Sequence, residues 1–160
     1  FSAGCASGPE AYSIALLVHD ILSHDANLNV KNHSVDINSD TLEDAKCAIY
    51  DLESLGNIPV QYHDYLQIIG RRFKIKDKIK RYVIFILFNL LDYRRLIDKF
   101  DIIFCRNTAI YFDTYTRQKV FDRLANNINV GGYMYIGHAE NIHPNNKNLI
   151  SLGNTIYIKK

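Results

Sequence analysis

Residues 1–22 read FSAGCASGPEAYSIALLVHDIL. The first thirteen hold Gly4 and Gly8, three Ala and three Ser, with Glu10 the one acidic side chain. An apolar, helix-forming run then follows. Pro9 suits the first helical position, with Ser7 or Gly8 as cap. Ile14, Leu17, Val18, Ile21 and Leu22 recur at helical spacing, so the pattern predicts an amphipathic helix over 9–24. A strand ending in a small-residue loop that opens directly into a helix is the start of a βαβ unit.

The chain continues in that manner. NVKNHSVDI (29–37) reads as a strand, unusually polar for a central one, and SDTLEDAKCAIY (39–50) as a capped helix. A short helical region is expected within 51–70. RRFKIKDKIKRYVIFILFNLL (71–91) alternates through Phe73 and Ile75, breaks near Asp77–Lys78 and resumes as an apolar run, a hairpin signal. DKFDIIFCRN (98–107) reads as a parallel-sheet strand. TYTRQKVFDRLANNINVGG (114–132) reads as a helix closed by Gly-Gly, and YMYIGHAEN as a strand feeding a loop. NTIYIKK (154–160) reads as a last strand, antiparallel and at or near an edge. The fold class predicted is α/β: a doubly wound, Rossmann-like, mostly parallel sheet with a small antiparallel β-hairpin insert.

Bulk properties set limits on function. The 160 residues suit one domain with a real core, and 48% hydrophobic with 22% charged content is ordinary for a globular chain. A net charge of +2 does not demand a nucleic acid or membrane partner. The longest apolar run, YVIFILFNLL (82–91), is short of the roughly 18 residues a membrane span needs. Cys5, Cys47 and Cys105 lack CxxC spacing, and the six histidines form no HxxxH or HExxH, so no metal site is expected and a cytoplasmic, reducing location is. The chain does not begin with Met, and Phe1 reads as the middle of a strand, so an upstream part is expected.

In a doubly wound sheet, ligands bind beyond the C-terminal ends of the strands. The opening loop, Asp36, Asn89 and Arg106-Asn107 all fall at predicted strand ends. An acid at the end of the second strand can accept both hydroxyls of a ribose. The glycines are spaced GxxxG rather than GxGxxG, Glu10 in the first helical turn repels a pyrophosphate, and no GKS or GKT is present. A cofactor with a ribose and a positive charge but no phosphate, S-adenosylmethionine, fits better. The alternative is a turn that only packs a helix against a strand, and composition does not separate the two.

The segments SAGCASGPEAYSIA, SVDIN, FNLLD, FDIIFCRNTAIYF and GGYMYIGHAEN, in this order and spacing, closely resemble the chemotaxis receptor methyltransferases of the CheR family. The similarity spans essentially the whole chain. Differences are small: GPEAYS where the family has GEEPYS, GHAEN for GHSEN, and CRNT for CRNV. The resemblance implies S-adenosylmethionine-dependent methylation of glutamate side chains on chemoreceptor signalling helices, with S-adenosylhomocysteine as product. It implies cofactor binding by Gly4, Glu10, Asp36, Asn89, Leu90, Asn107 and Thr108, with Tyr111 facing the transferring methyl. Arg106 is a candidate to orient the acceptor carboxylate, or else a structural ion pair. The methyltransferase domain is expected to comprise 1–50 and 89–160. Residues 51–88 are expected to form an inserted β-subdomain for receptor docking, in some members by adding a receptor C-terminal peptide as an extra strand. The family's upstream helical domain lies outside these residues. A monomer is expected, with no nucleic acid partner and no membrane insertion. The alternatives are a non-catalytic cofactor-binding or docking module with the same fold, and a nucleic-acid methyltransferase. RNTAIY stands where the latter carries an (N/D/S)PP(Y/F/W) motif.

His138 is read as a turn residue and Cys5 and Cys105 as small apolar fillers. The basic residues Arg71, Arg72, Lys74, Lys76, Lys78, Lys80 and Arg81, against Asp77 alone in 71–81, are read first as a solvated face.

Overall fold

A computed structural model describes residues 1–24, 29–92, 98–144 and 146–160. Its contacts divide the chain into two units, Phe1–Gly4 with Phe88–Lys160, and Cys5–Leu87. The larger sheet has seven strands and is mostly parallel; a second, antiparallel sheet has three.

In the unit built from both chain ends, β1 (Ser2–Ala3) pairs in parallel with β7 (Phe100–Cys105), and β7 in parallel with β8 (Ile128–Ile136). The near neighbours β1 and β7 are far apart in sequence, which is the arrangement of a topological switch point. Helix α4 (Thr114–Asn126) joins β7 to β8 and buries Val120, Phe121, Leu124 and Ala125. Asp113 caps it, accepting from the Tyr115 and Thr116 amides at 3.0 Å each. Ile103, Met134 and Ile136 complete the buried layer.

One expectation is corrected here. Gly131-Gly132 does not close α4: both lie inside β8, where the register against β7 shifts between Phe100 and Ile102. Gly131 has φ +79°, and a Cβ on Gly132 would sit 2.6 Å from the Asp101 carbonyl oxygen, so the bulge selects glycine at both places. The last strand, β10 (Ile156–Lys159), is antiparallel and one strand in from the edge, as expected. It pairs with β8 on one side and with β9 (Leu149–Gly153) on the other.

In the unit Cys5–Leu87, α1 (Pro9–His24) has the predicted bounds. Its buried face is Ala11, Tyr12, Ala15 and Leu16, while Leu17 and Ile21 are about half exposed at 52% and 50%. The face turned inward is therefore offset from the Ile14/Leu17/Ile21 stripe, because two alanines give a closer packing surface than branched side chains do. Strand β2 (Asn32–Asp36) pairs in parallel with β6 (Val83–Leu87), Asp36 opposite Leu87. Helix α2 (Ser39–Cys47) is capped by Asn38 and ends in left-handed Ala48, so it is shorter than expected, and residues Ile49–Asp51 form β3. Two 3₁₀ segments, Leu52–Asn57 and Val60–Tyr65, lead to β4 (Leu66–Ile69) and β5 (Arg72–Ile75).

The antiparallel sheet runs β3-β5-β4. Its hairpin joins β4 to β5 through Gly70-Arg71, with Gly70 at φ +60° as a two-residue turn requires. The hairpin predicted within 71–91 is thus displaced. After β5 the chain makes one helical turn, α3 (Asp77–Lys80), and β6 then joins β2 instead of folding back on β5. Tyr12, Leu16, Tyr62, Leu66, Phe73, Ile75, Ile79 and Tyr82 form the unit's apolar cluster.

Candidate functional site

Each unit presents residues at the C-terminal ends of its parallel strands. In the unit Cys5–Leu87 the loop before α1 is held from several sides. The Cys5 amide donates to the Val35 carbonyl at 2.9 Å and Gly8 N–H to the Cys5 carbonyl at 2.9 Å. The Tyr50 hydroxyl donates to the Ser7 carbonyl and the Tyr12 hydroxyl to the Ala45 carbonyl, both at 2.8 Å. Burial pushes both phenols above their ordinary range, so they serve as protonated donors. Gly8 has φ +89°, and a Cβ there would meet Ala45, Phe85 and Tyr50 at 3.1–3.3 Å.

Asp36, the last residue of β2, closes this loop. One carboxylate oxygen accepts from the Ala6 amide at 2.8 Å and the other from the Asn38 amide at 3.0 Å. Each oxygen keeps a further lone-pair direction for a hydroxyl donor. Glu10 lies in the first turn of α1 and is half-buried. The Cys5 thiol is pushed up to about 12, first by burial and then by the Asp36 and Glu10 carboxylates. It stays neutral at physiological pH and is no nucleophile, in keeping with its reading as an apolar filler.

In the other unit, Gly4 follows β1 directly with φ +70°. A Cβ there would lie 2.2 Å from Thr108 Oγ1. The Thr108 hydroxyl lies 3.1 Å from both the Ala3 and Arg106 carbonyls. The group that approaches the backbone at Gly4 is therefore a threonine of the chain itself. Arg106 and Asn107 follow β7 and are exposed; Asn107 adopts φ +56°. Tyr111 ends a 3₁₀ turn, Ala109–Tyr111, and is 82% exposed. Arg117 of α4 ties down this loop by donating to the Ala109 carbonyl at 3.0 Å and the Phe112 carbonyl at 3.1 Å.

Asn89 and Leu90 lie just past β6. The Asn89 side-chain oxygen accepts from the Leu91 amide at 2.8 Å, and Arg123 donates to the Leu90 and Asp92 carbonyls. Leu90 is buried. His138 is exposed on the turn after β8, and Cys105 is fully buried.

The sequence reading missed a role for Glu140, although it lies in the quoted GHAEN segment. This carboxylate is 5% exposed and accepts from four backbone amides. The Asn107 and Gly137 amides reach Oε2 at 3.1 and 2.6 Å, and those of Thr108 and Ala109 reach Oε1 at 3.1 and 2.7 Å. Only the pairing of β7 with β8 brings 107–109 and 137–140 together, so no local pattern announces it.

The family model for the CheR methyltransferase, SAM binding domain, matches residues 1–158. This chain belongs to the CheR methyltransferase family. Among curated relatives, a chemotaxis protein methyltransferase of Borreliella burgdorferi is 37% identical over 155 residues, covering 93% of this chain and 54% of its own length. A probable chemotaxis protein methyltransferase of Rhizobium etli is 34% identical over 163 residues, covering 98% and 61%. The chain thus spans a little over half the length of these CheR relatives. Among solved structures, the CcbJ methyltransferase from Streptomyces caelestis superposes with a TM-score of 0.54 at 14% identity, covering 84% of this chain and 43% of its own. PKMT2 from Rickettsia typhi, in complex with AdoHcy, gives 0.53 at 17%, covering 84% and 20%. These show the class I methyltransferase fold.

The cofactor of this CheR domain is S-adenosylmethionine, and the donor set suits it. Asp36 can accept ribose hydroxyls. The loop 1–13 holds no Lys or Arg, and the convergent amides at the end of β7 are filled by Glu140 rather than left for a phosphate. Among the described residues, no group of three or more His, Cys, Asp or Glu could hold a metal ion, and no helix is long and apolar enough to cross a membrane.

Proposed function

We propose that this chain is the S-adenosylmethionine-binding, catalytic domain of a protein-glutamate O-methyltransferase that modifies the signalling helices of bacterial chemoreceptors in the cytoplasm. The observation that carries this reading is the match of the CheR family model over 1–158. The relatives' names, chemotaxis protein methyltransferase and probable chemotaxis protein methyltransferase, point the same way.

The cofactor supplies a methyl group on a sulfonium, open to in-line displacement by a nucleophile. The chain's own residues would then bind and orient. Asp36 would accept the ribose hydroxyls, and Glu10 would face the cationic methionyl end. Gly4, Asn89, Leu90, Asn107 and Thr108 would line the remainder. Tyr111 and Arg106, both exposed, would meet the incoming carboxylate, Arg106 as a paired donor and Tyr111 through its hydroxyl or ring.

The protonation states support a carboxylate acceptor. A glutamate with pKa about 4.3 arrives already ionised at pH 7 and needs no base. A lysine acceptor, with pKa about 10.4, must first lose a proton. Tyr12 and Tyr50 are pushed up and hydrogen-bonded to carbonyls, and Cys5 stays a neutral thiol, so none of the three is set to remove one. Positioning in a dry site is then the main source of acceleration, worth up to roughly 7–11 kcal/mol.

Residues 51–88 are proposed as the docking region, where the outer strand β4 of the antiparallel sheet offers an edge for an added peptide strand. The test is to supply the chain with S-adenosylmethionine and the cytoplasmic part of a chemoreceptor, then map the product by mass spectrometry. Methyl groups on glutamate side chains are expected. Methylation of lysine, arginine or nucleic acid, with glutamate untouched, contradicts the proposal.

A further inference from the structure

The amides of Asn107, Thr108 and Ala109 converge because Asn107 is left-handed, at φ +56°, and Thr108 returns to the right-handed region at φ −113°, ψ −46°. Successive N–H groups in such a turn form a concave, anion-binding nest. At the end of a parallel strand, such nests commonly hold a phosphate. Here the chain fills the nest with its own carboxylate, Glu140, and the same carboxylate takes the Gly137 amide from the end of the neighbouring strand β8. Cys105 of β7 and Ile136 of β8 are direct partners, so the two loops leave adjacent strand ends and are cross-linked immediately beyond them.

Gly137 is part of the device. A Cβ at this position would lie 2.5 Å from Asn107 Oδ1, 2.8 Å from Glu140 Oε2 and 2.9 Å from the Asn107 amide nitrogen. The loop so fixed carries Asn107 and Thr108 and runs into Tyr111, the residues assigned to the cofactor and the transferring methyl. Thr108 in turn fills the space above Gly4.

We propose that Glu140 is a positioning residue for cofactor binding: it occupies the nest after β7 and fixes the backbone of 107–109 in the conformation that receives S-adenosylmethionine. The proposal rests on the reading of Asn107 and Thr108 as cofactor residues. Glu140 is buried and acts through the four amides.

The decisive variant is Glu140→Gln. It keeps the shape but presents one oxygen and one NH2 group, so two of the four amides face a donor instead of an acceptor. Binding of S-adenosylhomocysteine, measured by calorimetry on the 160-residue chain, is expected to weaken at least about tenfold, or about 1.4 kcal/mol. Glu140→Asp retains two acceptor oxygens and is expected to recover part of that loss. In nitrogen–proton correlation spectra, the Asn107, Thr108, Ala109 and Gly137 amide resonances are expected to move upfield in Glu140→Gln, with resonances remote from the loop unchanged. Wild-type affinity in a folded Glu140→Gln overturns the proposal, as do four unmoved amide resonances. If the wild-type chain itself binds no S-adenosylhomocysteine, the cofactor reading fails, and the amide shifts still decide whether Glu140 organises the loop. If Glu140→Gln does not fold, hydrogen exchange of the wild type decides: the four amides are expected to be protected although they lie outside any β-ladder, and rapid exchange overturns the assignment.

Discussion

Replacing Gly4 by alanine puts a methyl group where the structure has a threonine side chain. The new Cβ would lie 2.2 Å from Thr108 Oγ1 and 2.6 Å from its Cγ2, so Thr108 has to move. Moving it breaks the contact between its hydroxyl and the Ala3 carbonyl, a hydrogen bond worth about 1 kcal/mol net. Alanine at φ +70° adds about 1–2 kcal/mol of backbone strain. The expected cost is therefore about 2–3 kcal/mol. With a urea m-value of about 2 kcal/mol/M, the unfolding midpoint falls by about 1–1.5 M. Circular dichroism during urea titration measures it. Thr108→Ala removes the two closest crowding atoms and leaves its Cβ at 3.0 Å, so in that background Gly4→Ala is expected to cost little beyond the strain, leaving a coupling of about 1 kcal/mol. Equal costs in the two backgrounds, or an unchanged midpoint for Gly4→Ala, refute the claim that Thr108 is what excludes a side chain at Gly4.

Asp36→Ala removes the acceptor for the Ala6 and Asn38 amides together with the proposed ribose contact. S-adenosylhomocysteine affinity measured by calorimetry is expected to fall at least about tenfold, with a stability loss on the order of 1–2 kcal/mol. Tyr111→Phe leaves the fold and S-adenosylhomocysteine affinity unchanged, because the side chain is exposed, and is expected to lower kcat about tenfold, the worth of one hydrogen bond made only in the transition state. Iodoacetamide at pH 8 is expected to label the exposed Cys47 and spare the buried Cys5 and Cys105, as read by mass spectrometry of the native chain. The Cys5 thiol has its pKa raised from 9.0 to about 12, so the folded state holds its proton where the unfolded state has lost it. Stability is therefore expected to fall as pH rises from 9 towards 12, and Cys5→Ala flattens that slope in urea titrations.

What the sequence made legible was local. Pro9 and the following apolar run define α1, and Asp36 ends its strand as the polarity of SVDIN suggests. The family-like segments lie at strand ends, which is why the candidate residues are found there. What escaped depends on pairing between distant segments. RFKI and VIFIL look like two arms of one hairpin, yet β5 pairs with β4 and β6 with β2; alternation records which face is buried and not which neighbour covers it. Gly131-Gly132 looks like a helix stop, yet it serves a bulge set by the Asp101 carbonyl on another strand. Leu17 and Ile21 fit a helical stripe, but Ala11 and Ala15 take the buried face because small side chains permit the closer approach. Glu140 reads as one letter of a motif, and its four amide partners appear only when β7 and β8 lie side by side.

The central claim is that these strand ends receive a ribose-bearing, positively charged cofactor without a phosphate. Calorimetric titration of the chain with S-adenosylhomocysteine, set against NAD and ATP under the same conditions, tests it directly. One-to-one binding of S-adenosylhomocysteine, lost in Asp36→Ala, with no heat from NAD or ATP, is the predicted result. Equal or tighter binding of either phosphate-bearing nucleotide, or no binding of S-adenosylhomocysteine, would contradict it.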